Sequence, residues 1–163
     1  MSSPHFRFAE ATDTALILSL IRELAEYEQL AHEVVTDEEQ LRANLFGERP
    51  AAEALLAEID GECAGFALFF HNFSTFVGKR GLYLEDLFVR PAFRGHGIGK
   101  ALMVRLARIA LERDCGRFEW WVLDWNAPSI AFYRSLGAVG MEEWTVQRVA
   151  GEALVALAGL EKR

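Results

Sequence analysis

Apolar and polar positions alternate from His5 to Glu10 (HFRFAE), which predicts a short strand. Thr12 or Asp13 can cap the helix that follows, where Leu16, Leu20, Leu24 and Tyr27 recur at helical spacing. A second helix is predicted from Thr36, with Glu39 three residues on as a capping box, to near Gly47. Ala54–Ile59 and Cys63–Phe70 read as two strands joined at Asp60-Gly61, a favoured two-residue hairpin turn. Residues 71–81 read as a loop punctuated by Gly78 and Gly81. The apolar run of Leu82, Tyr83, Leu84, Leu87, Phe88 and Val89 predicts a strand that ends before Pro91, which has no N–H for a ladder. A long amphipathic helix then runs to about Arg113, with Arg105, Arg108 and Glu112 outward and Leu102, Leu106, Ile109 and Ala110 inward. Phe118–Leu123 reads as a buried strand, and Asn126 caps a helix with Pro128 in its first turn that ends before Gly137. Trp144–Val149 reads as a strand, and Gly151–Ala158 as a strand or a short helix. The order is that of an α/β domain, single over residues 1–163, without repeats, linkers or low-complexity segments.

Length and composition change this picture little. A chain of 163 residues suits one domain with a sizeable core. The N-terminus carries no signal pattern and no apolar run approaches the roughly 20 residues that span a bilayer, so no membrane association is expected. Cys63 and Cys115, without a C-x-x-C, fit a reduced, cytoplasmic protein. With 24 acidic against 17 basic residues, nucleic acid is not an expected partner, and a cationic substrate is compatible. The histidines at 5, 32, 71 and 96 show no metal-ligand spacing, and Ser129 lies in no G-x-S-x-G elbow. Neither a metal site nor a Ser-His-Asp triad is assigned.

The chemistry concentrates between Tyr83 and Lys100 (YLEDLFVRPAFRGHGIGK). Two carboxylates, Glu85 and Asp86, interrupt an apolar strand, where a charge is costly without a reason. Gly95, Gly97 and Gly99 then alternate behind Arg94 and open a helix. A glycine-rich turn ahead of a helix aims unpaired N–H groups outward, with the positive end of the helix dipole behind them, and so makes an anion site suited to phosphate. The dinucleotide fingerprint G-x-G-x-x-G fails, because Lys100 stands three after Gly97. The triphosphate loop G-x-x-x-x-G-K-[ST] fails too, since Ala101 follows the lysine. What remains is R-x-x-G-x-G.

A strand with an acidic residue, then R-x-x-G-x-G, then a helix, resembles the GNAT N-acetyltransferases. More narrowly, LIRELAEYE (20–28), LYLEDLFV (82–89), FRGHGIGKAL (93–102) and WNAPSIAFYRSLGA (125–138) resemble the diamine acetyltransferases, which include the spermidine/spermine and thialysine N-epsilon enzymes. VLDWN (122–126) and Ser74-Thr75 before Phe76 lean to the thialysine branch. The resemblance implies a mixed, mostly antiparallel sheet flanked by helices, and acetyl-CoA as co-substrate. It implies a small-molecule primary amine as acceptor and a homodimer whose amine site borrows residues from the partner. It places the pyrophosphate on the amides of Gly95, His96, Gly97, Ile98, Gly99 and Lys100, with Arg94 also on the coenzyme side, and the pantetheine arm along Leu87, Phe88 and Val89. Asn126, Pro128 and Ser129 give further contacts to the coenzyme.

An alkylamine has a pKa of about 10.4, so a proton must leave before its nitrogen attacks a thioester. A carboxylate can accept it through a water, a backbone N–H such as that of Leu87 can meet the oxyanion, and a tyrosine can protonate the departing thiolate. By resemblance Glu85 takes the base position and Tyr133 the acid position. Tyr27, Glu28, Ser74, Thr75, Asp86 and Glu143 fall on the amine side, the last in an EEGW match that lacks its glycine (Glu142-Glu143-Trp144). From periodicity alone Tyr133 would be core, with Ile130 and Leu136, and Tyr27-Glu28 a solvated helix end. Asp86 reads as a structural or substrate-side charge rather than the base. A polyamine acceptor, or a silent acyl-CoA-binding module, are the competing readings.

Overall fold

The computed structural model describes residues 1–161, which fall into two compact units, one of residues 1–121 and one from Val122 onward. The first holds a five-stranded sheet in the order β1-β2-β3-β4-β5, formed by His5–Phe8, Glu53–Ile59, Glu62–Ser74, Lys79–Val89 and Arg117–Trp120. Neighbouring strands are antiparallel except β4 and β5, which are parallel and joined by a helical crossover, as parallel strands must be.

Helices α1 (Thr14–Tyr27) and α2 (Glu38–Phe46) cover one face. Ile17, Leu20, Leu24 and Leu45 pack there with Leu56, Phe66, Leu68 and Phe88 in one buried cluster. Helix α3 (Ile98–Glu112) packs on β3, β4 and β5, burying Leu102, Met103, Leu106, Ile109 and Ala110 as the periodicity requires. At its end the Arg113 guanidinium sits over the Phe69 ring and binds both oxygens of Glu53, at 2.6 and 3.0 Å.

Several expectations are corrected. The cap of α2 is Asp37, whose carboxylate accepts from the Gln40 N–H at 2.8 Å, not Thr36 with a Glu39 capping box. Asp13 stands at the N-cap of α1 without capping it, because its carboxylate takes two bonds from Arg7 and one from the Glu10 N–H. Those bonds hold its carboxyl below the usual carboxylate range. The expected loop 71–81 is mostly strand, with β3 running to Ser74 and β4 starting at Lys79, so only residues 75–78 turn. Its polar composition belongs to an exposed hairpin tip, not to a long connection. The strand at 118–123 is shorter, Arg117–Trp120, and half-buried.

In the second unit Asn126 caps α4 (Ala127–Ser135) as expected, accepting from the Ser129 N–H at 3.3 Å, with Pro128 in the first turn. Gly137, at φ 93, ends it, and the Ala138 N–H returns to the Tyr133 carbonyl at 3.1 Å. Residues 144–149 form no strand and are exposed, while Gly151–Ala158 is a helix, α5, without a buried residue. Among the described residues of this unit there is no strand for the alternating segment 144–149 to pair with.

Candidate active site

The site is built on an irregularity in β4. Leu68 of β3 faces Asp86 and the next residue, Phe69, faces Leu84, so Glu85 is the extra residue of a β-bulge. The bulge changes which face each side chain meets. Before it, Leu84 shares a face with Phe69, on the side of α3; after it, Asp86 and Phe88 share a face with Leu68 and Phe66, on the side of α1. Without the extra residue Asp86 would face the other way. Glu85 itself is exposed.

Asp86 feels two other carboxylates, Glu85 beside it on β4 and Glu28 at the end of α1. Asp86, half-buried, has its carboxyl pushed up to about 7, mainly by burial, with the charges of Glu85 and Glu28 adding to it. Burial raises the Glu28 carboxyl as well. Burial and the charges of Glu85 and Glu119 raise the Tyr83 phenol, whose ring stacks on Phe70 and meets the edge of Trp121. Sequence reasoning placed Asp86 and Glu28 near the site but not against one another. The two adjacent acids in an apolar strand were the only available signal of the bulge.

This cluster sets a pH dependence of stability. The folded-state pKa of Asp86 lies above the ordinary aspartate value of about 3.9, so between those limits the folded chain holds a proton that the unfolded chain has released. Stability contributed by the protonated form is present at low pH and is lost as pH rises through about 7. Asp86→Asn is therefore expected to melt higher than the parent at pH 8 and close to it at pH 4. Equal midpoints at pH 8, or a lower one for the variant, would overturn the buried-carboxyl account.

Beside the bulge the sheet opens. Pairing of β4 with β5 ends at Leu84 and Trp120, whereas β4 continues to Val89. The Arg90 N–H bonds the Ala64 carbonyl at 2.8 Å, so by antiparallel alternation Phe88 also faces β3, and Leu87 and Val89 turn their N–H and C=O to the open edge. The Val89 carbonyl there accepts from Arg94 Nε at 2.9 Å. The Leu87 N–H stays available, on the edge that resemblance gives to a pantetheine arm.

At the end of β4 comes the glycine loop. Gly95 and Gly97 adopt φ of 81 and 76, left-handed values that favour glycine. A Cβ at either would meet nothing within 4 Å of the chain, so the space over the loop is open to a ligand. The first intrahelical bond of α3 runs from the Ala101 N–H to the Gly97 carbonyl at 2.9 Å. The N–H groups of Ile98, Gly99 and Lys100 thus have no intrahelical acceptor and project from the helix end. Exposed His96 and Lys100 flank them, and buried Ile98 anchors the turn. Such a cradle fits the diphosphate of a coenzyme A thioester.

Arg94 precedes this cradle and packs on aromatic rings. Its guanidinium lies over the rings of Tyr27 and Phe88, at 5.1 and 5.5 Å from their centroids, tying the end of α1 to the loop. This contact brings Tyr27 and Glu28 beside the glycine loop and the carboxylate pair. Ser74 and Thr75 lie elsewhere. Ser74 pairs with Lys79 at the hairpin tip, six residues before Glu85 and so roughly 20 Å away along the strand. Its hydroxyl accepts from the Val77 N–H at 3.2 Å. In the second unit Tyr133 is half-buried on α4 with its ring 5.4 Å from that of Phe132, and Asn126 is buried at the head of the same helix. Glu143 and Trp144 lie in an exposed, irregular stretch of that unit. Among the described residues no group of three or more His, Cys, Asp or Glu is placed to hold a metal ion, and no helix is long and apolar enough to cross a membrane.

Comparison with known proteins agrees with this architecture. The Acetyltransferase (GNAT) family profile matches residues 17–138. A thialysine N-epsilon-acetyltransferase of Sus scrofa is 42% identical, over 98% of this chain and 99% of its own length. An L-ornithine N5-acetyltransferase of Arabidopsis thaliana is 33% identical, over 93% of this chain and 86% of its own. Among solved structures, an integron cassette protein from the mobile metagenome of V. cholerae superposes with a TM-score of 0.81 at 27% identity, covering 97% of this chain and 99% of its own. A metagenomic aminoglycoside acetyltransferase in complex with sisomicin shares the fold at a TM-score of 0.75 and 17% identity, over 90% of this chain and 95% of its own. The break between β4 and β5, the glycine cradle after it and these relatives converge: the chain belongs to the GNAT acetyltransferase family.

Proposed function

We propose that this N-acetyltransferase, acting as a single domain, moves the acetyl group of acetyl-CoA to the primary amine of a small lysine-like substrate such as thialysine, by direct transfer in a ternary complex. The observation that carries the proposal is the bulge at Glu85, which sets a carboxylate and the free Leu87 N–H at the place where β4 and β5 part. The glycine cradle would hold the coenzyme diphosphate, and the open edge of β4 its pantetheine arm. The bound thioester supplies the activated acetyl carbon. Glu85 takes the amine proton through a water, and Asp86 and Glu28 favour a cation at the same place. The Leu87 N–H donates to the oxyanion as the amine attacks. Tyr133, in the second unit, is assigned the proton for the departing thiolate. Asn126, Pro128 and Ser129 are assigned contacts to the coenzyme, and Glu143 a contact to the amine.

A lysine-like substrate carries a carboxylate at its far end, and the hydroxyls of Ser74 and Thr75 can donate to one. Their distance from Glu85 along the strand supports a reading in which they serve the amine site of a second copy, in keeping with the homodimer that the resemblance implies. A polyamine acceptor is the second reading, favoured by the cluster of Glu28, Glu85 and Asp86, which suits a substrate with several cations. A panel of primary amines with acetyl-CoA, followed by free-thiol release, tests the choice. Thialysine is expected to exceed spermidine in kcat/KM, and Ser74→Asp to shift the ratio toward spermidine. A clear spermidine preference in the parent would overturn the lysine-like assignment.

A further inference from the structure

Strand β5 brings a further carboxylate beside Glu85 that the reaction as described leaves unused. Glu119 stands opposite Tyr83 in the parallel pair of β4 and β5. Phe118 and Trp120 turn to each other, with ring centroids 4.8 Å apart, so alternation gives Glu119 and Trp121 the other face. The rings on that face agree. Tyr83 lies against Phe70 at 4.9 Å and meets the edge of Trp121 at 6.0 Å. Tyr83 precedes Leu84, which faces α3, so this aromatic group shares the α1 side with Asp86. Burial and the charges of both Glu85 and Glu119 raise the Tyr83 phenol, so it stays a neutral hydroxyl near two carboxylates.

Those two carboxylates lack cations of their own. Arg7, Arg42, Lys79, Arg90 and Arg113 are each bound to an acid, whereas Glu85 and Glu119 take part in no ion pair among the described residues. Glu85 follows Tyr83 by two residues, and Glu119 lies one strand spacing across, a diagonal of about 8 Å. An extended lysine-like side chain spans a similar distance from its reacting nitrogen to its α-nitrogen. Between the two acids the surface is aromatic, and Trp121 is 59% exposed there. Such a wall suits methylenes or a thioether.

We propose that Glu119 and Trp121 set the acceptor specificity: Glu119 receives the acceptor's second ammonium, and the chain between its two nitrogens lies across Tyr83 and Trp121. The proposal rests on the reading of Glu85 as the place of the reacting amine. Free-thiol release with acetyl-CoA tests it on the full chain, with thialysine beside desamino-thialysine, which lacks only the second ammonium. A charge-assisted contact predicts that the parent prefers thialysine by about 10-fold in kcat/KM, with the ratio shrinking at high salt. Glu119→Gln is expected to treat the two acceptors alike, by losing thialysine alone, with coenzyme A affinity unchanged. Comparison of the ratio between parent and variant cancels the difference in basicity of the two reacting amines. Trp121→Ala is expected to lower kcat/KM for both acceptors about 3- to 10-fold and to keep their ratio. Equal use of both acceptors by the parent, or a ratio unchanged in Glu119→Gln, overturns the second anchor and leaves the N-acetyltransferase standing. Undiminished kcat/KM for both acceptors in Trp121→Ala overturns the aromatic wall. A parent that acetylates neither overturns the anchor and the lysine-like reading together.

Discussion

Glu85→Gln is expected to lower turnover by about 10²–10⁴-fold, the range for loss of a general base, while affinity for coenzyme A is roughly kept. The amide has the shape of the carboxylate but does not accept the amine proton, and Glu85 stands in β4, outside the glycine loop that begins after Arg94. Tyr133→Phe should also lower turnover, by removing the proton for the departing thiolate. Steady-state kinetics with the best amine of the panel, beside calorimetry with coenzyme A, separate chemistry from binding. Undiminished turnover in Glu85→Gln would remove Glu85 from the base role and leave Asp86, the other acid at the bulge, to be tested in its place.

Much of this site could be read before any coordinates. The loop was legible because backbone geometry restricts it to glycine, and Gly95 and Gly97 indeed have left-handed φ. The inward face of α3 was legible because burial repeats with the helical period. The strand ends were less so. The hairpin tip at residues 75–78 is exposed and polar like any loop, and nothing in its composition shows that the flanking residues 71–74 and 79–81 are paired. The bulge left only a trace, since one extra residue in a strand disturbs the alternation no more than a functional carboxylate does. The proximity of Glu28 to Asp86 was illegible, because it depends on where α1 ends against β4. The strand expected at 144–149 failed for a related reason: alternation states that a segment can pair, and only a neighbouring edge decides whether it does.

Gly97→Val carries the second large effect. At φ 76 an L-residue, above all a β-branched one, pays about 1–2 kcal/mol, and the added methyl groups stand in the open space over the cradle. Loss of one or two charge-assisted bonds from the loop amides corresponds to about a 10- to 100-fold loss of affinity for coenzyme A. Gly61→Val supplies the control. Gly61 has a similar φ, 81, and equally open surroundings, but lies in the β2–β3 turn, so it should lose stability and keep the coenzyme. Thermal melts establish that both variants fold. Unchanged coenzyme A affinity in a folded Gly97→Val protein would move the diphosphate away from this loop.

The single extra residue at Glu85 also governs which insertions and deletions the chain can survive. Side chains of a strand keep a reading frame of two, and the bulge is the point where β4 changes frame. Removal of one residue here would not be a local lesion. It would put Asp86 and Phe88 on the α3 side, take the aromatic ring from the cluster under α1 and exchange the backbone groups of Leu87 and Phe88 between the ladder and the open edge. Two residues lost together would restore the facing but draw the glycine loop back toward Tyr83. Variation in length within this lineage is therefore expected at the 75–78 tip and at the Asp60-Gly61 turn, where neither frame nor loop position is at stake, and not between Leu84 and Gly95.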